Sequence, residues 1–207
     1  MKKILTAALL GLSLNSFADN APLWLRFSAI SPDGQTIAFS YKGDIFSVPV
    51  NGGIAKQLTT NSAYDAYPVW SPDGQKIAFA STREGSMDVY LMDKNGGVPK
   101  RLTTNSGNET PIAFTDNSHV LSTSAGMPTA KSIFFASGTF PQTYEVGIDA
   151  SRPRLYSPMT MYDVSIRSNG DILYHDAKGY EDNFRKHHRS PVTRDIWLYS
   201  KGNYTKL

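Results

Sequence analysis

The 207-residue chain contains no cysteine. That absence excludes disulfides, thiolate metal sites and a lipid anchor carried on cysteine. Long apolar runs are lacking too: the most hydrophobic one, residues 4–14, spans 11 residues, too few to cross a bilayer core of roughly 30 Å as a permanent helix. It follows Lys2 and Lys3 and precedes Ser16-Phe17-Ala18, with small residues where a signal peptidase reads. Those three regions make residues 1–18 a secretory signal peptide. Cleavage after Ala18 is expected to leave 189 residues, exported to the periplasm or cell envelope without stable membrane insertion.

An excess of one charge is also missing. The chain has 21 basic and 18 acidic residues, but removing Lys2 and Lys3 leaves 19 against 18, a net of +1. No basic stripe remains to neutralise the roughly six to ten phosphates a duplex binder contacts, so nucleic acid is not an expected partner. What the chain does have is 40% apolar and 12% aromatic residues. Spread in short bursts among β-branched residues, they suit a β protein with its own core.

Two stretches nearly repeat each other, FSAISPDGQTIAF at 27–39 and YPVWSPDGQKIAF at 67–79. Ser31-Pro32-Asp33-Gly34 thus recurs as Ser71-Pro72-Asp73-Gly74, 40 residues on. Further matches lie 44 apart: Asp44-Ile45-Phe46 with Asp88-Val89-Tyr90, Asn51-Gly52-Gly53 with Asn95-Gly96-Gly97, and Gln57-Leu58-Thr59-Thr60 with Arg101-Leu102-Thr103-Thr104. Ser-Pro-Asp-Gly is a tight turn, in which Pro presets φ, Asp accepts backbone hydrogen bonds and Gly tolerates a positive φ. The flanking Ile37 and Phe39, then Ile77 and Phe79, have the period of two of a strand with one buried face. Asn-Gly-Gly predicts a second hairpin turn. Each period therefore holds about four short strands and no helix, which is a propeller blade.

The repeat weakens but continues. In a third unit, Phe114 and Asp116 precede a turn, His119-Val120-Leu121 form the second strand, 131–137 (KSIFFAS) reads as the third and 142–147 (QTYEVG) as the fourth. A fourth unit starts near Val164, turns at Ser168-Asn169-Gly170-Asp171, and has its third strand at 195–199. The expected architecture is all-β, a propeller of four-stranded antiparallel blades near 23–60, 64–104, 110–148 and 160–207. An insertion occupies about 176–193 of the last. About four blades are present, read as an incomplete, truncated six-bladed ring whose isolated product folds poorly or associates, since open edges are avoided.

Two copies of SPDGQxIAF, each followed by Asp-Ile/Val-aromatic and Gly-Gly-x-x-x-x-Leu-Thr, resemble the Pro-Asp-Gly propeller repeats of TolB, of tricorn-type proteases and of prolyl-oligopeptidase relatives. The resemblance spans residues 23–207. The segment Tyr180-Glu181-Asp182, Arg185-Lys186-His187-His188 and SPVTRDIWLY at 190–199 resembles the insertion of the first propeller of tricorn-type serine proteases. It implies a parent chain that continues through the remaining blades to a PDZ module and a serine protease core. It further implies a scaffold, substrate-gating or assembly role here, with peptides as substrates and the parent's other domains, or other subunits, as partners. TolB-like exported binding modules and the propeller of a prolyl-oligopeptidase-type peptidase are the alternatives. Tricorn itself is commonly cytoplasmic, in conflict with the signal peptide; the signal sets the expected location.

No catalytic residue is assigned, and no cofactor or metal is expected. His187 and His188 are neighbours, so their side chains diverge, and a hydrogen-bonded role is favoured over a metal site. Ser190 precedes Pro191, which favours extended backbone; no Gly-x-Ser-x-Gly elbow occurs. Asp44, Asp88 and Asp195 each stand just before an apolar strand and read as turn or capping residues. The charged insertion, with Tyr180, Glu181, Arg185, His187, His188, Arg194 and Asp195, reads first as a salt-bridge network pinning an excursion. Its functional reading is an interdomain or peptide contact.

Overall fold

The alternation that marks Ile37 and Phe39 becomes a buried strand between two turns, and the same pattern recurs along the chain. A computed structural model describes residues 24–124, 141–167, 169–176 and 195–207. They form strands without helices, arranged in four antiparallel sheets of four. The first holds β1 (Arg26–Ile30), β2 (Thr36–Tyr41), β3 (Asp44–Pro49) and β4 (Lys56–Gln57); the second holds β5 (Asp65–Trp70), β6 (Lys76–Glu84), β7 (Ser86–Asp93) and β8 (Lys100–Arg101). In the third are β9 (Glu109–Asp116), β10 (His119–Ser124), β11 (Gln142–Gly147) and β12 (Arg154–Ser157). The fourth comprises β13 (Tyr162–Ile166), β14 (Ile172–His175), β15 (Ile196–Ser200) and β16 (Asn203–Lys206). In every sheet the strands lie in chain order, as in a propeller blade.

The first strands of successive blades meet, β1 against β5, β5 against β9 and β9 against β13. They are the inner edges. Blades 2 and 3 bury both faces against their neighbours, and the core lies between blades in three slabs. Ala38, Ile45 and Leu58 of blade 1 meet Ile77, Phe79, Tyr90 and Met92 of blade 2. Ala78, Val89, Leu91 and Leu102 on the opposite face of blade 2 meet Phe114, Val120 and Val146 of blade 3. Leu121 then meets Met161, Ile172 and Tyr174 of blade 4. Period-two alternation in a strand covered on both sides explains why KIAFAS carries large residues towards one neighbour and alanines towards the other. The fourth blade does not pack back on the first, so the ring is open among the described residues.

One strand order differs from expectation. Gln142–Gly147 is the third strand of its blade, not the fourth: it pairs with β10 over six residues, from Ser124↔Gln142 to His119↔Gly147. Residues 131–137 lie outside the described residues. The fourth place goes to Arg154–Ser157, which follows a turn with Ala150 at φ 67° and pairs with β11 at Thr143↔Ser157. The ion pair of Arg154 with Glu145 anchors that edge.

Inner strands are bulged. Phe27 and Tyr67 have φ of 51° and 57° at irregularities in β1 and β5, and their rings lie 3.9 Å apart at the centroids. Bulges re-aim side chains and sharpen the local twist.

Candidate functional site

The Ser-Pro-Asp-Gly turns are built alike. Ser31 Oγ donates to Asp33 Oδ1 at 2.5 Å and accepts the Thr36 amide at 2.9 Å; Ser71 Oγ donates to Asp73 Oδ1 at 2.6 Å and accepts the Lys76 amide at 2.9 Å. The Gln35 and Gln75 amides each donate to the Asp carboxylate at 3.0 Å. Gly34 and Gly74 take φ of 69° and 66°, and Pro32 and Pro72 occupy the preset corner. The serine hydroxyl, then the glutamine amide, holds each carboxyl below its usual 3.8. These aspartates are committed to their turns.

Between the two turns lies a half-open cleft of about 650 Å³, whose lining includes Asp33, Lys56, Trp70, Asp73 and Lys94. Two of its groups are bonded across it: Lys56 Nζ donates to Asn95 O at 2.9 Å, and Trp70 Nε1 donates to Ala29 O at 3.1 Å. The cleft walls are thus tied across the blade boundary. Asp73 is tied likewise, its amide donating to Asn117 Oδ1 of blade 3 at 3.0 Å.

In blades 1, 2 and 4 an aspartate in or just before the third strand clamps the fourth. Gln57 Nε2 donates to Asp44 Oδ2 at 2.9 Å and Arg101 lies 2.7 Å from Asp88 Oδ2, while Lys206 Nζ lies 2.7 Å from Asp195 Oδ2. Threonine completes the device. Ile45 N–H donates to Thr59 Oγ1, and Val89 N–H to Thr103 Oγ1, both at 2.9 Å; Thr59 in turn donates to Asp44 Oδ1 at 3.1 Å. Each position of Gln/Arg-Leu-Thr therefore has a role: clamp, core and strand cap.

Sequence reasoning missed a polar layer at the far end of blade 2 from these turns. Asp65, Ser81 and Asp88 stand side by side across β5, β6 and β7, all fully buried. Arg83 pairs with Asp65 at 2.7 Å and lies over the rings of Phe79 and Tyr90 at 5.4 and 5.2 Å. Burial pushes the Asp88 carboxyl up, against the pull of Arg101. Glu109, buried at the start of β9, accepts from Ser124 Oγ at 3.0 Å. Asp65 and Glu109 are 44 residues apart, a signal that was available in the repeat. These pairs join strands within one blade, Asp65 with Arg83 and Asp88 with Arg101 in blade 2 and Glu109 with Ser124 in blade 3.

The remaining candidates divide by position. Tyr180, Glu181, Arg185, His187, His188, Ser190 and Arg194 lie outside the described residues. Asp195 is described: besides Lys206, its carbonyl accepts the Asp176 amide at 3.2 Å, which ties the two sides of the connection between β14 and β15. The two described histidines each face a carboxylate, His119 to Asp116 at 3.0 Å and His175 to Asp163 at 2.7 Å. Among the described residues no group of three metal-ligating side chains converges.

A family model described as the tricorn protease N-terminal beta propeller domain matches residues 22–206. Tricorn protease homolog 1 of Streptomyces coelicolor is 37% identical over 71 residues, 34% of this chain and 6% of that protein. The crystal structure of the tricorn protease superimposes with a TM-score of 0.64 at 19% identity, over 88% of this chain and 18% of that one. TolB from Acinetobacter baumannii gives 0.62 at 19% identity, over 89% of this chain and 43% of that one. The last two likenesses show the fold, and the chain spans less than half the length of each of the three proteins. With four blades in chain order and a family match over nearly its whole length, the chain belongs to the tricorn protease N-terminal beta propeller domain family.

Proposed function

We propose that this chain is the propeller portion of an exported tricorn-like serine peptidase and serves it as scaffold, substrate gate or assembly surface. Proteolysis belongs to a core outside these 207 residues. The observation that carries the reading is negative in chemistry and positive in construction. Every recurring acid of the first two blades, Asp33, Asp44, Asp73 and Asp88, is held by a turn or a neighbouring strand. The two described histidines face aspartates. Such groups hold blades together and leave none poised for attack. The expected role of the 180–195 segment, a contact with the core or with a peptide on its way to it, rests on its resemblance to the tricorn insertion.

Mass spectrometry of the native protein tests this reading. Peptides of a PDZ module and a serine protease core, in the same polypeptide or in stoichiometric complex with it, are the expected result. A secreted propeller with no peptidase attached would favour the second reading, a TolB-like protein-binding module, which the structural likeness to TolB supports.

A further inference from the structure

The boundary between blades 2 and 3 is bridged at its turns by a bond that has no counterpart, among the described residues, between blades 1 and 2. The Asp73 amide donates to Asn117 Oδ1 of blade 3 at 3.0 Å. One blade earlier, Asp33 stands where Asp73 does and Asp73 where Asn117 does, but the Asp73 carboxylate is turned back on its own turn, taking the Ser71 hydroxyl and the Gln75 amide on Oδ1. The Asp33 amide is thus left without an acceptor among the described residues, at the wall of the cleft of about 650 Å³. Further groups there are unspent. The two turns are neighbours, a Cβ on Gly74 falling 3.6 Å from Pro32 Cδ, and the bonds to the Asp33 and Asp73 carboxylates fall on Oδ1, which leaves the Oδ2 of each free among the described residues. Lys94 lines the same cleft and makes no side-chain hydrogen bond or ion pair among the described residues. The Ser31 hydroxyl and the Gln35 amide hold the Asp33 carboxyl below its usual value, and Lys94 adds to that pull.

We propose that this cleft binds a short peptide with both termini free. A carbonyl of the ligand accepts the Asp33 amide, as the side-chain carbonyl of Asn117 accepts the Asp73 amide at the next boundary. The ligand's ammonium lies against the free carboxylate oxygens of Asp33 and Asp73, and its carboxylate against Lys94. One amide donor, two anionic acceptors and one cation match the three polar features of such a molecule. A wall carrying both signs favours a zwitterion, since a ligand of one charge alone would meet a like charge. The volume suits the class, small-ligand pockets spanning roughly 300–1,000 Å³. Its walls are set beforehand, Lys56 being tied to Asn95 on the outer side and Trp70 to Ala29 on the inner, so little ordering is needed on binding. Both walls belong to blades that pack on one another.

The inference does not rest on the peptidase reading, and the two fail separately, because a protease core would bind peptides without using Asp33 or Lys94. The experiment titrates the native-length protein, treated with a fluorophosphonate so that no serine peptidase consumes the ligand, with the peptide Ala-Leu-Ala. Calorimetry compares the form with free termini, the N-acetylated form and the C-amidated form. The free form should bind best, and each cap should weaken it about fivefold, the scale of one exposed charge pair. Lys94→Met should weaken the free form and abolish the effect of amidation while leaving that of acetylation. Asp33→Asn keeps a carbonyl oxygen for the Ser31 and Gln35 bonds and should do the reverse, shrinking the effect of acetylation alone. Lys94→Met decides by itself if Asp33→Asn does not fold. No binding of the free form, free and capped forms bound alike, or an effect of amidation that survives Lys94→Met would each overturn the proposal.

Discussion

Arg101 reaches across from β8 to within 2.7 Å of the carboxylate of Asp88, which has no solvent exposure. Removing only the cation leaves a buried charge unpaired, which typically costs about 3 kcal/mol or more. Arg101→Met should therefore lower the urea midpoint clearly, and Arg101→Met with Asp88→Asn should recover part of the loss. Equal losses in the single and double variants would show that the pair does not act as a unit.

Gly52 and Gly96 occupy the same place in the repeat, with φ of 84° and 89°. Their surroundings differ: a Cβ on Gly52 meets nothing within 4 Å, whereas one on Gly96 falls 2.8 Å from Leu58 O of the preceding blade. Both alanine variants carry the backbone strain of a positive φ, about 1 kcal/mol or more. Gly96→Ala should add a packing penalty, so its melting temperature should fall further than that of Gly52→Ala. A smaller fall for Gly96→Ala would contradict the blade contact.

Burial, more than any other cause, pushes the phenols of Tyr156 and Tyr174 up to about 12 from 10. In that window the folded state holds protons that the unfolded state has released, so stability is intact below pH 10 and falls as pH rises towards 12. Burial raises Tyr90 as well, so titration followed by phenolate absorbance should show a late-ionising set that includes Tyr90, Tyr156 and Tyr174, with one late phenol lost in each of Tyr156→Phe and Tyr174→Phe. A single transition of all phenols near 10 would refute this.

At the acid end the sign reverses. Asp33 and Asp73 have carboxyls held below 3.8, chiefly by Ser31 and Ser71, so their contribution is present above that pH and is lost as pH falls through the lowered values. Asp73→Asn should destabilise the chain at neutral pH and much less in strong acid, read by denaturant unfolding at both. An undiminished effect in acid would mean that the charge is irrelevant to the turn.

Much of this construction was legible beforehand. Turn chemistry and period-two alternation placed the strands of blades 1 and 2, because the two copies of SPDGQxIAF share both length and spacing. Blade 3 was misordered at Gln142–Gly147 because its connection from β10 is long and its apolar stretch at 131–137 satisfies a strand pattern as well as β11 does. Alternation along one segment carries no information about which neighbour it pairs with. Asp44, Asp88 and Asp195 were read as turn or capping residues, and their clamp on the fourth strand was not foreseen, since the partners lie 13 or 11 residues away. The ion pair of Asp65 and Arg83 was missed for a similar reason: it joins separate strands, and neither residue looks unusual in a polar sequence context.

The proposed function has the chain organise a peptidase whose cutting is done elsewhere. The most direct measurement incubates the purified chain with a peptide library and, in parallel, with a serine-reactive fluorophosphonate probe. The expected result is no hydrolysis above the blank and no labelled serine. Peptide hydrolysis by the chain alone, abolished together with probe labelling by Ser190→Ala, would contradict it.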